Sequence, residues 1–162
     1  MKKLLSLLLL ISFSIHSTES IKLTLPKSLK FGQSLSDTEL LLNQYCKKRS
    51  KFEINPPQIP GTKNSQVQID CHNFNFAGKE RLAEFVFKDN SLYLVWVLIE
   101  ESELRGLEKN LLNKFKKPTY QSPVFTAFTS QHIALRKDVP EFLFYGEEAS
   151  ESFENWFKSA VE

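Results

Sequence analysis

The stretch LYLVWVLIE, residues 92–100, limits the possible folds more than any other part of this chain. In an extended strand successive side chains point to opposite faces. Leu92, Leu94, Trp96 and Leu98 then share one face, and Tyr93, Val95, Val97 and Ile99 share the other. Both faces are apolar, which marks a central strand covered on both sides. Such a strand needs neighbours in a sheet and layers packed over it.

The neighbours are legible nearby. VQIDCHNFNF and RLAEFVF precede it, both short and rich in aromatic and β-branched residues, with AGK and KDNS as turn segments. The second and third of these strands should form a hairpin. VFTAFT, HIALRK and EFLFYG supply three more strands. Ser36 and Glu39 have the spacing of a capping box, with Leu41, Leu42, Tyr45 and Cys46 following at helical spacing, which predicts a helix over 36–48. A second helix over 101–116 carries the stripe Leu104, Leu107, Leu111, Phe115, with acids at its start and lysines at its end. Pro118 and Pro123 stop it. A third, over 148–161, carries Phe153, Trp156, Phe157 and Ala160, an aromatic stripe read as core. IKLTLPKSLKFG at 21–32 is an edge strand or an extended arm.

The resulting order is α-βββ-α-βββ-α. It implies an α+β fold, an antiparallel sheet with helices packed on one face. The halves 33–99 and 100–146 repeat one pattern of helix, proline-bearing loop and meander, the arrangement of two tandem α-βββ units. No linker separates them, so residues 21–162 are read as a single domain.

Residues 1–20 read as a secretory signal peptide: Lys2 and Lys3, an apolar run from Leu4 to Ile11, then small polar residues. That run is shorter than the roughly 20 residues a bilayer span needs, and no later stretch reaches such a length. A periplasmic or secreted protein with no transmembrane segment is expected. Without residues 1–20 the chain keeps 19 basic and 18 acidic residues. Near-neutral charge gives it no general attraction to nucleic acid, which asks for a concentrated basic face. The run KKRSK at 47–51 is read as helix-end cations and solvated loop rather than a polyanion patch.

Export bears on the two cysteines, Cys46 and Cys71, because disulfides persist in oxidising compartments. A bridge between them would close a loop of about 25 residues and contribute about 3.5 kcal/mol by the chain-entropy relation. The segment it spans carries three prolines and has little means of ordering itself. As a nucleophile Cys71 would need an adjacent base, and His72, next on a strand, points to the opposite face. A thiol enzyme would therefore require His132 to approach through folding. No compact ligand spacing suits zinc, and neither a phosphate-binding glycine loop nor a G-x-S-x-G elbow occurs. Glu100, Glu101 and Glu103 form an acidic cluster explained by a helix N-terminus. No catalytic, cofactor or metal residues are assigned.

The phrase FGQSLSDTELLLNQYC, followed after a loop by FAGKERLAEFVFKDNSLYLVWVLIE, resembles the helix-loop-meander unit of the SmpA/OmlA (BamE-like) outer-membrane small proteins and of the β-lactamase-inhibitor-like fold. Gly32, the helix near Leu41 and the turn Asp89-Asn90 carry the likeness. It implies an envelope protein that binds another protein. The lipoprotein cysteine of the outer-membrane members is missing here. Three function classes follow: a non-enzymatic binding or accessory protein acting on another envelope protein, a small-ligand or lipid carrier with an apolar pocket, and an enzyme with a cryptic site.

Overall fold

The computed structural model describes residues 21–161, and the signal-peptide reading of residues 1–20 lies outside them. The elements run α1 (Leu35–Leu42), β1 (Lys48–Glu53), β2 (Gln66–Phe76), β3 (Lys79–Lys88), β4 (Ser91–Leu98), α2 (Leu104–Phe115), β5 (Tyr120–Gln121), β6 (Phe125–Phe128), β7 (Ile133–Arg136), β8 (Glu141–Tyr145) and α3 (Ser150–Ser159). All strands join one antiparallel sheet in the order β1-β2-β3-β4-β8-β7-β6-β5. The fold is α+β, as expected. Each half is a helix followed by four strands, and the last strands of the two halves meet at the centre, Val95 opposite Phe144 and Val97 opposite Phe142.

The expected order lacked one strand per half. β1 is the polar KRSKFE, whose basic residues conceal it from any apolar pattern. β5 has two residues, set between Pro118 and Pro123. The first helix is also shorter than 36–48. Ser34, not Ser36, caps it by accepting the Asp37 N–H at 3.1 Å, and it ends at Leu42 with Asn43 as its C-cap. The chain turns there because Cys46 is bonded to Cys71 of β2, with Cα atoms 5.1 Å apart. The Lys47 N–H then donates to the His72 carbonyl and pairing of β1 with β2 begins. The basic run has a structural use. Arg49 donates to the Asn43 side-chain oxygen at 2.6 Å and Lys51 pairs with Glu39 at 3.1 Å, so the edge strand clamps α1.

Helices cover both faces of the sheet, which corrects the one-face expectation. On the first face Ile69, Cys71, Phe85, Val95, Val97 and Phe142 pack with Leu42 of α1 and with Leu107 and Leu111 of α2. On the second, Val86, Leu94, Phe125, Ala134, Leu143 and Tyr145 pack with Phe157 of α3. A strand with two apolar faces requires this, since leaving either in water forfeits about 25 cal/mol per Å² of apolar surface. α3 is the element left to cover the second.

Two irregularities adjust the alternation. Val86 pairs with Leu94 but Phe87 with Leu92, leaving Tyr93 as an extra residue. Leu92 therefore joins Val95 and Val97 on the first face instead of Leu94 and Trp96. In β2 the register shifts between Cys71 and Phe74, with Asn73 at φ 61°, which returns Phe74 and Phe76 to the face of Cys71. The β3–β4 hairpin turns at Asp89 and Asn90, both at positive φ, as a two-residue type I′ turn requires. The 21–32 segment is an extended arm and not a strand. Its Leu23 and Leu29 are buried in the first-face core, and Gly32, at φ 84°, donates to the Leu92 carbonyl.

Candidate binding groove

On the second face α3 lies over the strands of the second half and stops short of β1 to β3. Where it stops, a groove of about 360 Å³ opens. Its floor is Gln68 of β2, Glu84 and Val86 of β3, and Leu94 and Trp96 of β4. One wall is α3, through Ser152, Phe153 and Trp156; the other is the loop Gln58, Ile59, Pro60. The volume falls at the lower end of ordinary ligand sites.

Side-chain hydrogen bonds hold one wall and aromatic packing the other. The loop is held because the buried Gln66 side chain accepts the Gln58 and Ile59 N–H groups at 2.7 and 2.9 Å. Farther along, the Asp89 carboxylate accepts the N–H groups of Lys63, Asn64 and Ser65, and these bonds hold its pKa below the usual value. The helix is held by aromatic packing. Phe157 sits 4.7 Å from Phe125 between ring centroids, and Phe153 sits 4.8 Å from Tyr145 and 6.3 Å from Trp96. The groove is thus preformed.

The aromatic stripe read as core divides accordingly. Phe157 is fully buried, whereas Phe153 and Trp156 are partly exposed and line the groove. The guanidinium of Arg136 rests 5.6 Å from the Trp156 ring centre, on a tryptophan already used as a cation platform.

At the edge of the floor Glu84 belongs to an unusual charge pair. Asp70 of β2 and Glu84 of β3 are direct cross-strand partners, and like charges placed so are destabilising. Glu84 has a raised pKa, chiefly from burial and then from the Asp70 and Glu141 charges. Asp70 accepts a bond from Gln68 at 2.8 Å. No described lysine or arginine forms an ion pair with Asp70 or Glu84. Such a carboxylate can attract a cation or, protonated, donate a hydrogen bond.

The other residues singled out by sequence have structural roles. Both thiols are consumed by the Cys46–Cys71 bond, and Cys71 is fully buried. This removes the thiol nucleophile from consideration. His72 lies on the opposite face of β2, as its position predicts. His132 has Ser150 Oγ and Glu147 Oε2 each 3.3 Å from the same ring nitrogen, Nε2. A relay needs the acid on the other nitrogen, so these three do not form one. The ring stacks on Tyr145, whose buried hydroxyl lacks a partner and whose pKa burial pushes up.

In the acidic cluster Glu103 binds Arg81 through two bonds of 2.6 and 3.0 Å, takes Lys79 at 2.8 Å and accepts the Glu100 N–H. The Arg81 pair pulls its pKa down to about 2. It ties β3 to the start of α2. Among the described residues no three His, Cys, Asp or Glu side chains gather to hold a metal, and no helix is long and apolar enough to cross a membrane.

Sequence reasoning missed Gln66, Gln68, Asp70 and Glu84. The signal was present in the polar alternation Gln66, Gln68, Asp70, His72, but only the register reveals that Asp70 meets Glu84. Comparison with known proteins gives no relative: no family model, curated protein or solved structure matches this chain.

Proposed function

We propose that this is an exported, non-enzymatic binding protein that acts on another envelope or secreted protein through the groove beside α3 and the uncovered sheet surface next to it. The observation that carries the reading is the half-covered second face. A chain that covers both faces of its central strand leaves Gln68, Asp70 and Glu84 without a helix over them, next to a preformed aromatic cleft. Phe52 of β1 lies on this same surface, across from Gln68, and is 45% exposed.

Export is supported by the basic-then-apolar start of the chain and by the disulfide that joins both cysteines. The tandem helix-meander order is what the resemblance to the SmpA/OmlA and β-lactamase-inhibitor-like proteins implies. The edges of the sheet are poor docking sites. β1 presents Lys48, Arg49 and Lys51, the residue types that discourage strand addition, and β5 is too short. The groove is open along one side, which suits a partner's protruding side chain better than an enclosed lipid chain.

Photo-crosslinking in the producing cells tests the reading. A benzophenone side chain placed at Gln68 or Ser152 should give one product of defined added mass, and the same group at Lys109, exposed on α2 across the sheet, should give none. Products from Lys109 alone, or none from the groove, would refute it.

A further inference from the structure

Resting on that reading, we propose that the groove receives an arginine side chain of the partner, its guanidinium paired with Glu84 and stacked on the aromatic rings beside it. Three observations converge. The walls and floor bring Trp96, Trp156 and Phe153 around one carboxyl, and flat aromatic faces beside a carboxylate suit a planar cation better than a compact ammonium.

No lysine or arginine of the described residues forms an ion pair with the two carboxylates beside the groove. Of the cations near the groove, Lys88 is engaged by Glu148 at 3.0 Å and lies 5.2 Å from the Tyr93 ring centre. Arg136 is engaged by Asp138 at 2.8 Å and Glu141 at 3.3 Å. Glu84 and Asp70 face each other with no such partner, and the Asp70 and Glu141 charges both add to the burial that raises the Glu84 pKa. An incoming guanidinium would relieve that repulsion, donate hydrogen bonds to the carboxylates and keep its planar face on an indole.

The third is an internal precedent. Arg136 already holds this pose on the same helix, its guanidinium over Trp156 and its nitrogens on two carboxylates. The groove offers the same combination, unfilled by the chain itself, on Trp96 and Glu84. Lipid headgroups with a quaternary ammonium would find the rings but could donate no hydrogen bond to Glu84. A free polyamine would find the charge but no reason to stack.

Both tryptophans of the chain line this groove, so their indole N–H resonances report on its occupation. The intact, oxidised protein is titrated with an acetylated and amidated glycyl-arginyl-glycine peptide and, separately, with the same peptide carrying citrulline, which keeps shape and loses charge. Saturable shifts of both indoles are expected with the arginine peptide. The citrulline peptide should bind weaker by about tenfold or more, as for a lost charge-assisted hydrogen bond.

Glu84→Gln should erase the difference between the peptides, and Glu84→Lys, which supplies its own cation, should abolish the shifts. Glu84→Gln is expected to fold normally, since it removes a half-buried charge beside another of the same sign. Equal binding of the two peptides, or no saturable shift with arginine, overturns the proposal. If crosslinks from Gln68 and Ser152 persist in that case, the groove remains the docking surface and only the arginine is wrong. If they also vanish, the binding reading itself falls.

Discussion

On the sheet's second face, β5 to β8 present Tyr120, Phe125, Ala127, Ala134, Leu143 and Tyr145 to α3, whereas β1 to β3 present Lys48, Phe52, Gln68, Asp70 and Glu84 with no helix over them. The two regions have equivalent places in the two halves of the chain. One is closed by aromatic packing; the other keeps charges that the fold does not require. The difference separates residues that hold the molecule together from residues available for another purpose, and the groove lies on the boundary.

The comparison breaks most readily from the closed side. Phe157 is fully buried and touches Phe125, Tyr145 and Phe153, so Phe157→Ala should cost about 4 kcal/mol in denaturant unfolding, as large aromatic truncations do. Loss of α3 cover should also remove the groove wall, so peptide-induced indole shifts should disappear with it.

In the half of the chain that carries the open surface, the largest effect comes from the disulfide, which lies under its opposite face. Replacing both Cys46 and Cys71 with alanine should lower stability by about 3.5 kcal/mol. Hydrogen exchange should then show the β1–β2 pairing opening first, with α3 still protected. Uniform loss across both regions would mean that the two halves are not separable in this way.

Charge provides a finer contrast, because two glutamates titrate with opposite sign. Glu103, its side chain 15% exposed and paired with Arg81 at 5%, is held at a pKa of about 2. Between that value and the ordinary 4.5 the unfolded chain binds more protons than the folded one, so stability is present above about pH 4.5 and lost as the pH falls toward 2. The contribution is on the order of 2–3 kcal/mol, and Glu103→Gln should flatten the pH profile in that window.

Glu84 has a raised pKa. Its folded form holds the proton more tightly, so a cost appears as the pH climbs through and above the ordinary glutamate range. Glu84→Gln should therefore change stability at neutral pH by less than about 1 kcal/mol, and toward greater stability. A large destabilisation would show that Glu84 belongs to the fold and not to a binding surface.

These assignments differ in how far the sequence discloses them. The apolar strands β2, β3, β4, β6, β7 and β8 could be placed because burial imposes a pattern on them. β1 could not, since its partners are Glu39, Asn43 and β2, and its residues look like a charged loop until the chain folds back. The disulfide was foreseeable from two cysteines in a chain whose start reads as a signal peptide. The position of α3 was not, because an amphipathic helix does not say which face of a two-faced sheet it will cover. The groove needed both that choice and the register that sets Asp70 opposite Glu84.

The boundary between the closed and open regions is a cleft of negative charge lined by tryptophan. Collisional quenching of Trp96 in a Trp156→Phe variant addresses it directly. Cesium should quench this residue more efficiently than iodide does, each measured relative to free N-acetyltryptophanamide, and Glu84→Gln with Asp70→Asn should erase the preference. A preference for iodide, or a Trp96 that neither ion reaches, would contradict the account.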